Sequence, residues 1–410
     1  MHPLRYGRFR YFWATRMASM LAHSAVVIAL GWLVYDLARQ TMDVRAAAFR
    51  LGLIGLAQFL PFLVLSPIAG VTADRHDRRR IVMLALAAQV AGIATVALLV
   101  ESGRAALWML YALAGFIAAA RAFFIPAMNA LTPRMVPAAV LPNAIALQSI
   151  AGRVGGILGP ALGGMVFAVS PWGAFAGCAA LLAVALFCQW RIGPVDQPTQ
   201  GRAGKRLGMI VEGVRYVLSN RLLLGAISLD MFSVLLGGVT AMLPVFARDI
   251  LHAGPQGLGL LRTAPSIGAL AVGVWLSTVP MRRGVGLKML LSVAVFGLAT
   301  IVFGLSPSLP LSMGCLVVLG AADMISVNVR QSLIMITTPD DMRGRVGAVS
   351  TLFISASNEL GEMESGSLAA LIGPVGSVVV GGVCAIGIAA AWARLFPELR
   401  HARDFAPEKA

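Results

Sequence analysis

Among the ionisable side chains inside long apolar runs of this 410-residue chain, ten are candidates: Arg16, His23, Arg121, Arg153, Asp230, Asp323, Arg330, Glu359, Glu362 and Glu364. A charge held among residues that cannot solvate it is costly, so each is a candidate for function. Glu359 and Glu362 are three residues apart and share a helical face, while Glu364 points elsewhere. Two like charges on one desolvated face suit a group that takes up and releases a proton near neutral pH, so one of this pair is the expected proton carrier. Asp323 and Asp230 are the further acidic candidates. The rival reading is structural. Asp323 and Arg330 stand two turns apart on one face, the spacing of an ion pair, and the glutamates have Arg121, Arg153 or Arg330 as available partners. Arg121 and Arg153 fall near mid-depth and, left without carboxylates, would attract an anionic substrate. Arg16 sits near the end of its run and can extend to the aqueous edge. His23 is roughly mid-depth, where a hydrogen-bonded interior histidine is the commoner case. His23, Gln58, Arg153, Asn328 and Arg330 are the expected cavity-lining residues for a substrate.

Two stretches are patterned more tightly. Gly155-Gly156-Ile157-Leu158-Gly159-Pro160-Ala161-Leu162-Gly163-Gly164 places Gly155, Gly159 and Gly163 four apart, on one face. A face without side chains lets another helix approach backbone to backbone. Pro160 removes a hydrogen bond and favours a bend. The second stretch, Gly70 to Arg80, holds four arginines, His76, Asp74 and Asp77 in a loop too short to leave a membrane surface. On charge alone it is an anchor that fixes two helices by the positive-inside rule.

The elements that position these residues are membrane helices. The chain is 58% hydrophobic and only 12% charged, against about 25% charged in soluble domains. A bilayer crossing needs roughly 20 apolar residues. Runs of that size are predicted at 11–38, 46–73, 81–101, 106–128, 143–169 and 173–192, and again at 223–247, 256–279, 287–305, 310–335, 346–371 and 375–396. Twelve spans put both termini on one side. Loops there carry most of the bases, among them Arg75, Arg78, Arg79, Arg80, Arg134, Arg191, Arg202, Arg206 and Arg343, while the other side has Arg39, Arg45, Arg50, Arg104 and Arg248. Both termini are therefore expected in the cytoplasm, with the first span uncleaved. The net charge of +15 is spread through loops, which favours membrane topology over a nucleic-acid face. Cys178, Cys188, Cys315 and Cys384 lie in apolar runs without metal-ligand spacing and read as reduced packing residues.

Residues 193–222 are the longest non-apolar stretch. Leu207, Ile210, Val211, Val214, Val217 and Leu218 recur there at helical spacing, which predicts an amphipathic helix on the membrane surface. The chain divides accordingly into an N-terminal half at 1–192, a linker at 193–222, a C-terminal half at 223–396 and a tail at 397–410. A weak internal repeat supports the halves. At an offset of 202, Pro137 falls on Pro339, Leu131 on Leu333, Gly159 on Gly361 and Gly164 on Gly366. The arginine loop has an echo at Arg282-Arg283 without the aspartate.

These features resemble the major facilitator superfamily. Gly70, Asp74, Arg75, Arg78, Arg79 and Arg80 are similar to its loop between helices 2 and 3, a Gly, then Asp-Arg, then a basic cluster. The Gly-x-x-x-Gly-Pro-x-x-Gly-Gly run is similar to the antiporter signature of its exporters. Arg16, Ser19, Trp32-Leu33-Val34-Tyr35, Pro133 to Asn143 and the linker resemble the enterobactin-exporter-like branch, the transmembrane secretion effectors or type 3 drug:proton antiporters. The resemblance covers nearly the whole chain. It implies an all-α membrane protein of twelve transmembrane helices in two six-helix pseudo-symmetric halves, rocking about a cavity lined by spans 1, 4, 7 and 10. It also implies proton-driven export of small organic molecules such as siderophores or drugs from a bacterial cytoplasmic (inner) membrane, by a monomer. Arg121 stands where antiporters of the superfamily carry an arginine linked to proton transfer, although the flanking Gln-Gly is missing. Asp74 with the arginines would latch one side of the cavity. The alternative is a proton-independent facilitator or importer, with the carboxylates as substrate ligands. An enzyme is not expected, since no Ser/His/Asp grouping, metal-spaced histidine pair or phosphate loop occurs. No metal, other cofactor, ATP or nucleic-acid partner is expected; the partners are the bilayer, a small-molecule substrate and protons.

Overall fold

A chain in hydrocarbon has to satisfy its backbone N–H and C=O groups within each segment, so long apolar runs become long helices. The computed structural model describes residues 3–195, 206–279, 281, 284–340 and 342–402, with the side chains of Asp74 and 206–210 outside the description. It is 89% helical and has no strand among the described residues. The first six long helices are α1 (Gly7–Arg39), α2 (Val44–Arg75), α3 (Arg78–Glu101), α4 (Leu107–Leu131), α5 (Leu141–Val169) and α6 (Pro171–Arg191). The linker contributes α7 (Arg206–Ser219). Then follow α8 (Arg221–Leu236), a single turn α9 (Leu243–Val245), α10 (Gly254–Thr278), α11 (Val285–Gly304), α12 (Leu309–Thr337), α13 (Arg343–Ile372), α14 (Pro374–Leu395) and the short α15 (Pro397–Arg400).

Each predicted run falls on one of these helices. Among the described residues, 11 stretches are long and apolar enough to cross a membrane. The remaining run, 346–371, is α13, which has 30 residues but carries Glu359, Glu362 and Glu364. The seventh span is broken. α8 stops at Leu236, passes through Gly237 and Gly238, and resumes as a 3-10 turn at Val239–Met242, α9 and a π-helical turn at Phe246–Ile250. Two adjacent glycines weaken helix propagation. The carbonyl this frees at Gly238 accepts a hydrogen bond from Ser365 Oγ at 3.1 Å, the kind of repair a broken membrane helix needs.

Two compact units form by internal packing. The first comprises Met1–Thr41, Leu56–Gly204 and Ala253–Thr263. In it α1 packs on α5 and α6, and α3 on α4 and α6. Phe9, Phe12, Tyr35 and Phe175 are fully buried there. The second unit comprises Met42–Gly55, Lys205–His252 and Ala264–Ala410. In it α11 packs on α12 and α14, and α8 on α13 and α14. Its core includes Leu229, Val285, Met289, Val329 and Leu399.

α7 belongs to the second unit, and it is a helix as the spacing predicts. Its apolar face is used by protein. Val217 is 3% exposed and, with Val214, packs against Ile334, Val346 and Val349. Gly213 permits this approach, since a Cβ there would lie 3.0 Å from the Arg345 carbonyl oxygen. Tyr216 Oη donates to the Thr337 carbonyl at 3.1 Å, and Arg345 pairs with Glu212 at 2.8 Å. Among the described side chains of this helix, Val211 and Leu218 are the exposed large apolar ones; Leu207 and Ile210 lie outside the described side chains. The start of the tail is packed too. Leu399 is buried, and Arg221 pairs with Glu398 at 3.2 Å.

Candidate functional site

The arginine loop of the first unit is held by helix ends. Asp77 caps α3, accepting from Arg79 N at 2.8 Å and Arg80 N at 3.4 Å. Arg78 donates to the Ala73 carbonyl at 3.0 Å and the Ala130 carbonyl at 3.3 Å. Arg79 donates to the carbonyls of Gln189 at 3.3 Å and Trp190 at 2.7 Å. These carbonyls belong to the last turns of α2, α4 and α6, where the intrahelical donors run out and the helix dipole is negative. The cluster therefore clips three helix C-termini to the start of α3. Gly70 is buried, Arg75 is exposed, and the side chain of Asp74 lies outside the described residues, as do Arg282 and Arg283.

The glycine run of α5 is a close-packing face. A Cβ on Gly155 would lie 2.6 Å from Met20 Cβ, one on Gly159 2.6 Å from Ser24 Cβ, and one on Gly163 2.8 Å from Ala25 Cα. All three neighbours are on α1. Gly164 instead faces the start of α10, with Gly259 Cα 2.9 Å from a would-be Cβ. Next to Pro160, Thr263 Oγ1 donates to the Ile157 carbonyl at 3.0 Å. The repeat recurs as geometry in the second unit. Gly361, counterpart of Gly159, leaves no room against the Val234 and Leu235 carbonyls of α8, at 3.0 and 3.1 Å. On Gly366, counterpart of Gly164, a Cβ would lie 2.7 Å from Gly52 Cα of α2.

Arg16, His23, Arg121 and Arg153 lie in the first unit, and Arg330 in the second. Arg16 donates to Asn129 Oδ1 at 3.0 Å. Arg121 of α4 and Arg262 of α10 both stand within electrostatic reach of His23. Arg153 is exposed, two residues from Gly155 and so off the face that meets α1. Gln58 on α2 is half-buried. The acidic candidates lie in the second half of the chain. Glu359 and Glu362 are half-buried on α13 beside the first turns of α2: a Cβ on Gly55 would lie 2.7 Å from the Glu359 carbonyl and 2.8 Å from Glu362 Cβ. Glu364 accepts a long hydrogen bond from Ser365 Oγ at 3.4 Å.

Arg330 pairs with Asp230 of α8, and their side chains are 3% and 5% exposed. The expected pairing with Asp323 is corrected. Seven residues of α12 separate Asp323 from Arg330, about 10.5 Å along the axis, whereas α8 packs on α12 and brings Asp230 directly alongside. Asp323 instead lines a small cavity with Asp230, and Asn328 is half-buried on the same helix. Sequence reasoning missed Ser233, Ser292 and Ser326, which line that cavity too. The signal that could have found two of them is a matched pair of pentapeptides, Asp230-Met231-Phe232-Ser233-Val234 and Asp323-Met324-Ile325-Ser326-Val327.

A sequence family described as transmembrane secretion effector matches residues 1–408. The chain is 28% identical over 403 residues to the enterobactin exporter EntS of Citrobacter koseri, across 95% of this chain and 94% of that protein. It is 26% identical over 402 residues to the enterobactin exporter EntS of Escherichia coli K12, with the same coverage. Among solved structures it resembles a bacterial homologue of the human lysosomal transporter Spinster, inward-facing and unoccupied, at a TM-score of 0.74 and 16% identity over 96% of this chain and 98% of that one. A D-xylose–proton symporter is similar at a TM-score of 0.73 and 14% identity over 97% and 99%. At these identities the structural likeness establishes the fold.

Proposed function

The chain belongs to the transmembrane secretion effectors of the major facilitator superfamily, and from that premise we propose that it exports a siderophore-like or similarly amphipathic small molecule in exchange for protons. It is a transporter and not an enzyme. The observation that carries the proposal is end-to-end similarity to enterobactin exporters, over 95% of this chain and 94% of theirs. Charge placement supports it. Arg121 and Arg262, beside His23, offer positive charge for a substrate rich in oxygen acceptors, while the acidic candidates of the second half offer groups for protons.

In this mechanism the substrate enters from the cytoplasm, the side on which the positive-inside rule places both termini. A proton taken up by Glu359 or Glu362 removes a charge from α13, and the change biases one of two packings of the helices. The glycine contacts of α13 with α8 and α2 put that charge next to backbone in close approach, where a small shift is felt at once. The arginine clip at α3 keeps three helix ends together as they move, with Asp74 as the switching partner of the latch.

The test is proton flux in proteoliposomes loaded with a pH dye, under an acid-outside gradient, with catecholate siderophores and amphipathic drugs as trial substrates. Substrate-dependent proton movement that is lost in Glu359→Gln or Glu362→Gln is expected. Substrate movement without proton flux would make the chain a facilitator and the carboxylates substrate ligands or structural groups.

A further inference from the structure

We propose that the second unit contains a binding site for one monovalent metal cation of sodium size, lined by Asp230, Ser233, Ser292, Asp323 and Ser326. The site goes beyond proton-coupled export and does not depend on which substrate is carried. Five oxygen-bearing side chains from three helices meet at one cavity: two from α8, one from α11 and two from α12. The cavity is about 10 Å³, room for roughly one water-sized occupant. The remaining lining is apolar, including Val293 and Phe296, so the oxygens have little else to bind.

Charge points the same way. Asp230 is matched by Arg330. Among the described residues nothing pairs with Asp323, so the cavity wall keeps one negative charge in excess. Asp323 is half-buried, and drawing a carboxylate away from water without a counter-charge is costly; a bound cation supplies one. The hydroxyls are prepared for an acceptor role. Ser233 Oγ donates its proton to the Leu229 carbonyl at 2.6 Å and Ser292 Oγ to the Met289 carbonyl at 2.8 Å. A hydroxyl that has spent its proton on its own helix still has lone pairs to offer a cation. Ser326 is 3% exposed, and its Oγ has no hydrogen-bond partner at all. A buried hydroxyl without a partner calls for an occupant of the space it lines.

The sequence builds this site twice over. Asp230-Met231-Phe232-Ser233-Val234 and Asp323-Met324-Ile325-Ser326-Val327 share an Asp-x-x-Ser spacing, which sets both oxygens of each pair on one helical face. The two faces converge on the cavity. No group of three His, Cys, Asp or Glu occurs among the described residues, which argues against a transition metal. Two carboxylates, one of them already neutralised, are also few for calcium, which takes six to eight oxygens.

The experiment is saturable binding of ²²Na⁺ to the purified full-length chain in detergent, in choline buffer, with Li⁺ and K⁺ as competitors. One site per chain is expected, displaced by Li⁺ more readily than by K⁺. Asp323→Asn is expected to abolish binding, and Ser326→Ala to weaken it on the order of tenfold, the lower end of the effect of losing a supporting partner at a metal site. Glu362→Gln, outside the cavity, is expected to leave it intact, which separates this site from the proton-export reading. Absence of saturable ²²Na⁺ binding in the unaltered chain would overturn the proposal. So would binding that survives both Asp323→Asn and Ser326→Ala, or displacement by protons with no effect of Li⁺. Size-exclusion profiles matching the unaltered chain show which variants are folded, and Ser326→Ala, the smaller change, carries the test if Asp323→Asn is not.

Discussion

Removing Asp230 should destabilise the chain far more than removing Asp230 and Arg330 together. The two side chains are 5% and 3% exposed and face each other. Asp230→Ala leaves a guanidinium buried with its charge uncompensated. Breaking one side of such a pair costs about 3–5 kcal/mol. Polar contacts between membrane helices average only about 0.6 kcal/mol, because the separated helices find other partners. That discount suits neutral hydrogen bonds; Arg330 carries a full charge at 3% exposure, and Asp230 is the carboxylate it pairs with. The larger figure should therefore govern. Arg330→Met alone should cost less, as a lone Asp230 can take a proton. The pair Asp230→Ala with Arg330→Met restores an apolar interior and should recover most of the loss, since such replacements are often neutral. Reversible unfolding in mixed detergent–SDS micelles, run as a double-mutant cycle, measures these terms. Asp230→Ala within about 0.5 kcal/mol of the unaltered chain, the scatter of surface changes, would refute the reasoning. So would a double variant as unstable as the two losses added.

Three further outcomes follow from packing and hydrogen bonds. Gly159→Ala places a Cβ 2.6 Å from Ser24 Cβ and 3.0 Å from the Leu21 carbonyl, so it should cost about 1–3 kcal/mol as overpacking, while Gly152→Ala, with nothing within 4 Å, should be neutral in the same unfolding assay. Arg79→Ala loses two bonds to the end of α6; at about 1.5–3 kcal/mol for a charged donor it should raise hydrogen exchange in the last turn of α6, measured by mass spectrometry, and Arg79→Lys should restore only part. Tyr216→Phe removes the bond to the Thr337 carbonyl and should lower stability by about 0.5–1.5 kcal/mol, with faster proteolysis of the linker near α7 as the readout.

What the sequence by itself determined is the set of helices and their kind. Runs of about 20 apolar residues leave the backbone one solution in hydrocarbon, and the 12% charged fraction excludes a soluble alternative. The glycine face of α5 was legible for the same reason: four-residue spacing is local geometry, and absence of side chains permits close approach whatever the partner. The arginine stretch was legible as charge, although its attachment to the ends of α2, α4 and α6 was not. Which face meets which helix is settled by contacts far apart in the chain. Asp230 and Arg330 are 100 residues apart, and only the packing of α8 on α12 decided between them and the nearer Asp323. The stripe on α7 read as a membrane-surface helix, and its packing against Ile334, Val346 and Val349 was not legible, because an apolar pattern does not name its partner. The serines around Asp323 look like any hydroxyls on a membrane helix until three helices bring them to one cavity. Periodicity is a property of neighbours in sequence, and pairing of buried charges is a property of neighbours in space.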